Sequence, residues 1–495
     1  MYARLAFRHL ALRPARTLLL LAGYGVGVAV MVVLLSIGEA LLAQARDEKL
    51  VGGGDITVLP EGIDIEVMKT GGLGGMFFSI DHARFIDLQL LAAPRLARDV
   101  KAVAPQIDGA LLYLRSRDGV ERTVRANGEI PSATRAVGAM PAIAAGSWDD
   151  DAGDVRWSRP TNAELHEDID HFHLLPENLT AAERASWAEW HYFNVLSSDR
   201  KRWAFITLLA GGDIPNGRWG GETLVTLREE GSRERRFVAY APSTAVELST
   251  ARADLRVGES RVTLLPDGRY QVHAIARAAG GGAESVTVDL VVTPQPRAYF
   301  PGAALGGGVV SGYAVPALRA DASGSICAAG SCERFDSAQS YHDHNWGVWQ
   351  GVTWEWGAAR AGSYTFLYGR VDTPDSDRGA LFLYLVDSLG FRALFRPSSI
   401  VYEDARTISV DGKPVHVPAS ARMVDVRGDD TLRVDLAIED AIGTDMRRGA
   451  ERGGHTASSS LPYFIQMKGT ARLTGRVGGK PVTGTGTGFF ETYRR

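Results

Sequence analysis

The sequence predicts a mainly β protein: two antiparallel β-barrels, preceded by one transmembrane helix and a small α/β region. Three observations carry this. Helical periodicity nearly vanishes beyond residue 190, where runs of alternating apolar and polar residues take over. Turn dipeptides punctuate those runs, at Asp267-Gly268 in RVTLLPDGRYQVHAIA, Asp411-Gly412 in RTISVDGKPVHV and Gly478-Gly479 in ARLTGRVGGKPVTGTG. The stretch from 190 to 495 is too long for one ordinary eight-stranded barrel, so two are expected, meeting near residue 347. Closed barrels also hide the strand edges that so many hairpins create.

Composition agrees with this outline. At 495 residues the chain amounts to about three domains. Its 56 glycines exceed the usual share while its 21 prolines do not, which favours tight turns over disorder. With 54 basic against 58 acidic residues and an isoelectric point near 6.3, no phosphate-binding surface is indicated, and nucleic acid is excluded as a partner.

The first element is the charge-free run LLLLAGYGVGVAVMVVLLSIG, Leu18 to Gly38. Its 21 residues meet the length a helix needs to cross the hydrocarbon core. Arg4, Arg8, Arg13 and Arg16 precede it, and Glu39, Asp47 and Glu48 follow, so the short N-terminus is expected in the cytoplasm and the rest of the chain outside. Ala43-Gln44-Ala45 satisfies a signal-peptidase pattern. The apolar run exceeds the 7 to 15 residues usual for a signal peptide, so a retained anchor is preferred. Gly23 and Gly27, four apart, offer a small-residue face to another helix. The best later apolar stretch, Ala380 to Phe395, is interrupted by Asp387 and Arg392.

Residues 47–147 combine a strand candidate at Asp55 to Leu59, an amphipathic stretch at Asp81 to Val103 and a hairpin turning at Asp118-Gly119, a small α/β region. Residues 148–160, with DDDAGDVRWSRP running from Asp149 to Pro160, read as a linker. Thr180-Ala-Ala-Glu183 has capping-box spacing and predicts a short helix to about Trp190, with strand from Tyr192. The barrels are placed at 161–347 and 348–495. Cys327 and Cys332, four residues between them, suit a disulfide stapling a hairpin in an oxidising compartment.

Chemistry concentrates in Tyr341-His342-Asp343-His344-Asn345-Trp346-Gly347 and in Trp349, Trp354, Glu355 and Trp356, four of the ten tryptophans within eleven residues. On a strand His342, His344 and Trp346 share one face and Asp343 and Asn345 the other. One reading is an apolar pocket with a few polar groups, where indoles stack on an extended ligand or shield a cation. A carboxylic acid desolvated there stays protonated and acts as a general acid, with Asp343, Glu355 and Asp372 as candidates. Another reading has Trp346, Trp354 and Trp356 plugging the junction of the barrels. In a third, His342 and His344 are a metal-binding HxH pair, but no third ligand stands at a recognisable spacing, and two thiols fall short of the four ligands of a structural zinc. No metal and no cofactor are therefore expected. The run Glu189-Trp190-His191-Tyr192-Phe193-Asn194 reads as core, and His166, His171 and His173 as a solvated face or a cap over a barrel mouth.

Two resemblances follow from these motifs. LAFRHLALRPARTLLLLAGYGVGVAVMVVLLSIGEAL, continuing through GGGDITVLPEG, resembles the start of macrolide-exporter-type ABC transporter permeases, with a first transmembrane helix and the beginning of a periplasmic core; the further spans such a permease needs are absent. EWHYFN, YHDHNWG, VTWEWGAA and the closing GTGFFE resemble the carotenoid 1,2-hydratase (hydroxyneurosporene synthase) and AttH-like family, over residues 160–495. That resemblance implies two lipocalin-like barrels. It also implies that His344 and Trp346 take part in protonating an alkene, with Asp372 as the acid. Arg370 stands where the family has Tyr, Tyr368 lies two positions earlier, and His191 replaces the commoner Trp.

Together these readings lead to a single-pass protein of a bacterial inner membrane, facing the periplasm. It is expected to bind an elongated apolar ligand at the barrel interface, with an ABC transporter ATPase or permease as partner. His344, Trp346, Asp343 and Asp372 are the catalytic candidates. His342, Asn345, Trp190, Tyr192, Trp354, Glu355, Trp356, Tyr368 and Arg370 are the ligand-binding ones. The alternative function is a cofactor-independent hydratase, lyase or cyclase that protonates a polyene double bond.

Overall fold

The computed structural model describes residues 14–46, 80–91, 93–138, 148–173, 175, 179–304, 311–373, 379–448 and 461–495. The strand expected at Asp55 to Leu59 and the permease-like GGGDITVLPEG segment lie outside the described residues. The chain divides into two compact units, Met1–Phe78 with Asp99–Asp154, and Ser79–Arg98 with Val155–Arg495.

In the first unit, helix α1 (Pro14–Arg46) opens on a proline, whose missing N–H is harmless in a first turn. Its segment Pro14–Ile37 is long and apolar enough to cross a membrane. The expected hairpin pairs Gln106–Arg115 with Glu121–Glu129, and Gly119 supplies the positive φ of its turn.

The second unit holds two antiparallel sheets. The first contains a closed ring of eight strands: β1 (Trp187–Leu196), β2 (Arg202–Asp213), Arg218–Glu229, Arg235–Pro242, Tyr270–Ala278, Ser285–Pro294, β3 (Ser311–Ala328) and β4 (Ser331–Val348). Closure comes from Tyr270–Ala278, which pairs on one side with Arg235–Pro242 and on the other with Ser285–Pro294. Alternate residues of these strands, Phe193, Ile206, Val225, Val272 and Val288 among them, fill the interior. Each such buried side chain contributes roughly 1.5–3 kcal/mol.

The second sheet has nine strands, among them β5 (Thr353–Ala361), β6 (Tyr364–Asp372) and β7 (Lys480–Arg494). It curls over its own core of Phe366, Leu383, Met423, Val434, Ile465 and Phe490. Its ends, Gly390–Phe395 and Val401–Val410, do not pair, so it is an open half-barrel where a second ring was expected. Gly369 makes room for an indole in this sheet: a Cβ there would stand 2.4 Å from the Trp356 ring.

Of the short helices that precede β1, two carry capping boxes. Helix α2 (Asn162–Ile169) carries a full capping box between Thr161 and Glu164. Helix α3 (Ala181–Ala185) carries the one read from Thr180 and Glu183. It ends before Trp190, because the alternation from Trp187 onward buries Trp187, Glu189, His191 and Phe193 as a strand does. A disulfide joins Cys327 and Cys332, which face each other across the β3–β4 hairpin.

Candidate functional site

Strands β1 and β4 run antiparallel, with Glu189 opposite Trp346, His191 opposite His344 and Phe193 opposite His342. Because side chains alternate, these six share one face, and that face is the interior of the closed barrel. The carboxylate that organises them comes from elsewhere. Asp170, the C-terminal cap of α2, is completely buried. Its Oδ1 lies 2.7 Å from His344 Nδ1 and 3.5 Å from His191 Nδ1. Its Oδ2 accepts the Tyr270 hydroxyl at 2.7 Å and lies 3.0 Å from His342 Nε2.

Glu189 extends this cluster. Its carboxylate accepts the His173 backbone N–H, lies 2.9 Å from His173 Nδ1, and approaches His344 Nε2 to 3.0 Å. The Trp346 indole stacks on His173 at 3.8 Å with 9° between the planes, holding that ring in place. His342 is stacked on Phe193, and its Nδ1 donates to the Tyr192 carbonyl at 3.0 Å.

Burial would raise the Asp170 carboxyl, but the charges of His191 and His342 and the hydrogen bonds of His342 and His344 outweigh it, holding Asp170 well below the usual range. Burial likewise disfavours a charged His344, yet hydrogen bonds to Asp170 and Glu189 raise it to about 9. His166 and His191 lack such support: burial lowers the first to about 4 and the second well below its ordinary value.

A cavity of about 300 Å³ opens beside this cluster. Phe172, Trp187, Ile214 and Leu248 make its walls apolar, and Glu189 and His173 reach into them. Its volume is at the lower end of those that enclose a drug-sized ligand.

The outward face of β4 builds a second cluster against the half-barrel. Tyr341 Oη donates to Asp343 Oδ2 at 2.8 Å, Asn345 Nδ2 donates to Asp343 Oδ1 at 2.7 Å, and Trp356 Nε1 donates to Tyr341 Oη at 2.8 Å. Trp354 Nε1 donates to Glu491 Oε2 at 2.8 Å. Burial pushes Asp343 up to about 6 and Glu491 up to about 7. The space left among Tyr192, Asn194, Tyr341, Trp356, Phe489 and Glu491 is about 10 Å³, room for roughly one water. An elongated ligand does not fit there. Close-packed Trp356, Tyr341 and Phe489 fill the junction; of the three tryptophans in the plugging reading, Trp354 and Trp356 lie here, whereas Trp346 stacks on His173 inside the closed barrel.

The candidates therefore separate. His342, His344 and Trp346 meet inside the barrel; Asp343, Asn345, Tyr192, Trp354 and Trp356 meet at the junction. Trp190 packs on Trp349, and Tyr368 is buried in the half-barrel. Glu355 is engaged in an ion pair with the buried Arg370, and Asp372 accepts the Gly379 N–H at 2.8 Å and lies 3.8 Å from Arg370 Nε. Asp170, Glu189 and His173 are functional candidates that sequence reasoning passed over. The alternation in EWHYF, which turns Glu189 and His191 to one side, was the available signal for Glu189; nothing local marks Asp170, 172 residues before His342.

No family model matches the chain, and no curated protein does. Among solved structures it is similar to AttH from Nitrosomonas europaea, at 16% identity and a TM-score of 0.46, covering 66% of this chain and 100% of that one. It is also similar to kievitone hydratase from Nectria haematococca, at 14% identity and a TM-score of 0.40 over 66% and 94% of the two chains. A third is CghA with Sch210972, at 12% and 0.42 over 66% and 95%. None of the three supports the permease resemblance of the N-terminal segment.

Proposed function

We propose that the closed barrel binds a small, mainly apolar molecule in its 300 Å³ cavity and moves a proton on it, as a hydratase, lyase or cyclase does. One observation carries this reading: the otherwise apolar wall presents Glu189 and His173, and behind Glu189 stand His344 and then Asp170, all within hydrogen-bonding distance. A proton gained or lost at Glu189 is answered by His344 behind it, without water. The Trp187 and Phe172 rings that line the cavity favour a cationic intermediate over a bare apolar wall. Hydration then adds a proton to one alkene carbon and hydroxide to the other, consuming one water.

The anchor helix keeps this cavity at a membrane, with the arginine-rich N-terminus on the cytoplasmic side and the barrel in the periplasm. An ABC exporter as partner belongs to the same proposal, supported by the N-terminal resemblance and tested by co-purification from membranes.

For the chemistry, native mass spectrometry of the detergent-purified full chain identifies the molecule it carries, which is then incubated with the protein in deuterated water. Solvent deuterium, or the mass of one water, should enter the molecule, and Glu189→Gln should slow this by about 10²–10⁴-fold. Exchange at an equal rate in the variant removes Glu189 from the reaction. A bound molecule that never exchanges points to carriage without turnover.

A further inference from the structure

We propose that Asp170, His191 and His342 hold one divalent transition-metal ion of the zinc class inside the closed barrel. This goes beyond the reading of the cavity and holds whether or not a substrate is turned over there.

The three side chains are completely buried, and one ligand atom from each lies within 4.8 Å of the others. A tetrahedral ion with bonds of about 2.0–2.1 Å sets its ligand atoms about 3.3 Å apart. The Asp170 Oδ1 to His191 Nδ1 distance is 3.5 Å, and Asp170 Oδ2 to His342 Nε2 is 3.0 Å. Small rotations of the rings therefore suffice.

Two features of the cluster are unexplained without a cation. The first is His191, neither of whose ring nitrogens has a hydrogen-bond partner although the ring is wholly enclosed. A buried polar group left so is destabilising, and an ion on Nδ1 supplies a partner. The second is His342. Its Nδ1 faces the Tyr192 carbonyl, which can only accept, so the ring hydrogen sits on Nδ1. Without a second proton on the ring, the Nε2 lone pair would point at an Asp170 oxygen that already accepts the Tyr270 hydroxyl. Facing lone pairs at 3.0 Å need a positive charge between them. A metal ion meets that need and engages His191 as well, which a proton on His342 does not.

The surroundings match the outer shell of a metal centre. The Tyr192 carbonyl fixes the His342 tautomer, while Tyr270 Oη and His344 Nδ1 orient the two oxygens of Asp170. Two imidazoles and one carboxylate are a zinc-class donor set; calcium and magnesium ask for six or more oxygens. Such an ion would clamp the end of α2 to strands β1 and β4.

The test uses the full chain in detergent, stripped with a chelator, dialysed against zinc or cobalt sulfate and then desalted. Elemental analysis should find about one ion per chain, cobalt should give the visible bands of tetrahedral coordination, and zinc should raise the Tm. His191→Leu should lose the ion and the zinc-dependent Tm rise, while His166→Ala keeps both. A metal-free cluster behaves oppositely: no stoichiometric uptake by the wild type, and a His191→Leu Tm equal to or above that of the wild type, since an unpartnered imidazole has been removed. Uptake unchanged in His191→Leu places the ion elsewhere and overturns the assignment. Near-UV circular dichroism checks that the variant folds; if it does not, Asp170→Asn is read by the same criteria.

Discussion

The two faces of strand β4 make unlike sites from neighbouring residues. Inward, His342, His344 and Trp346 meet Asp170, Glu189 and His173, a charge-dense cluster beside a cavity of about 300 Å³. Outward, Tyr341, Asp343 and Asn345 meet Trp356 and Phe489, with about 10 Å³ to spare. Both faces bury carboxylates. The inner acids have imidazoles as partners and the outer ones are held by tyrosine, tryptophan and amide donors, so the inner face can exchange protons or hold a cation where the outer face only seals a junction. Buried polar residues thus mark a reactive site only where space for a second molecule adjoins them.

The sharpest way to break this contrast is at the hub. Asp170→Ala strips His342, His344 and Tyr270 of their shared acceptor, and truncating one partner of a buried charged network costs about 3–5 kcal/mol. Urea unfolding followed by tryptophan fluorescence should show that loss; a change below 1 kcal/mol would mean the cluster is not a network.

The outer face has its own signature in pH. Glu491, faced by Asp343, Trp354 and Gln466, is raised by burial from 4.5 to about 7. The folded protein thus holds a proton that the unfolded chain releases near pH 4.5. The stabilisation is complete below 4.5, is lost as pH rises through about 7, and changes no further above it. The shift corresponds to roughly 3 kcal/mol. Glu491→Gln should flatten this part of the stability profile while leaving the cavity's ligand bound; an unchanged slope would show that Glu491 is ionised in the fold.

The smallest effect separates the faces most cleanly. Tyr341→Phe takes from Asp343 one of its two donors, Asn345 remaining, and leaves the Trp356 N–H without its acceptor, at about 1–3 kcal/mol, and touches nothing in the inner cluster. Stability should fall while deuterium exchange on the bound molecule continues at its wild-type rate. Loss of exchange in the folded variant would put the reaction at the junction after all.

Much of this was legible in advance. Period-two alternation alone divides His342, His344 and Trp346 from Asp343 and Asn345, and the Asp-Gly and Gly-Gly turns mark the hairpins; at Asp411-Gly412 both residues take the positive φ that a tight hairpin demands. The assignment of an acid was not legible. Asp343, Glu355 and Asp372 are near the motif in sequence, but Asp343 faces the other way, Glu355 is engaged by Arg370, and Asp372 caps the Gly379 N–H.

By itself the sequence determined the long apolar helix, the two β regions, the local cysteine pair and which residues of the motif share a face, because each follows from apolar run length or from side-chain direction along a few consecutive residues. Only the tertiary structure decided that the first sheet closes while the second stays open, that Glu189 lies across from Trp346, and that Asp170 reaches the histidines from the end of a helix. Those depend on strand register and on contacts spanning well over a hundred residues, where no local period carries information.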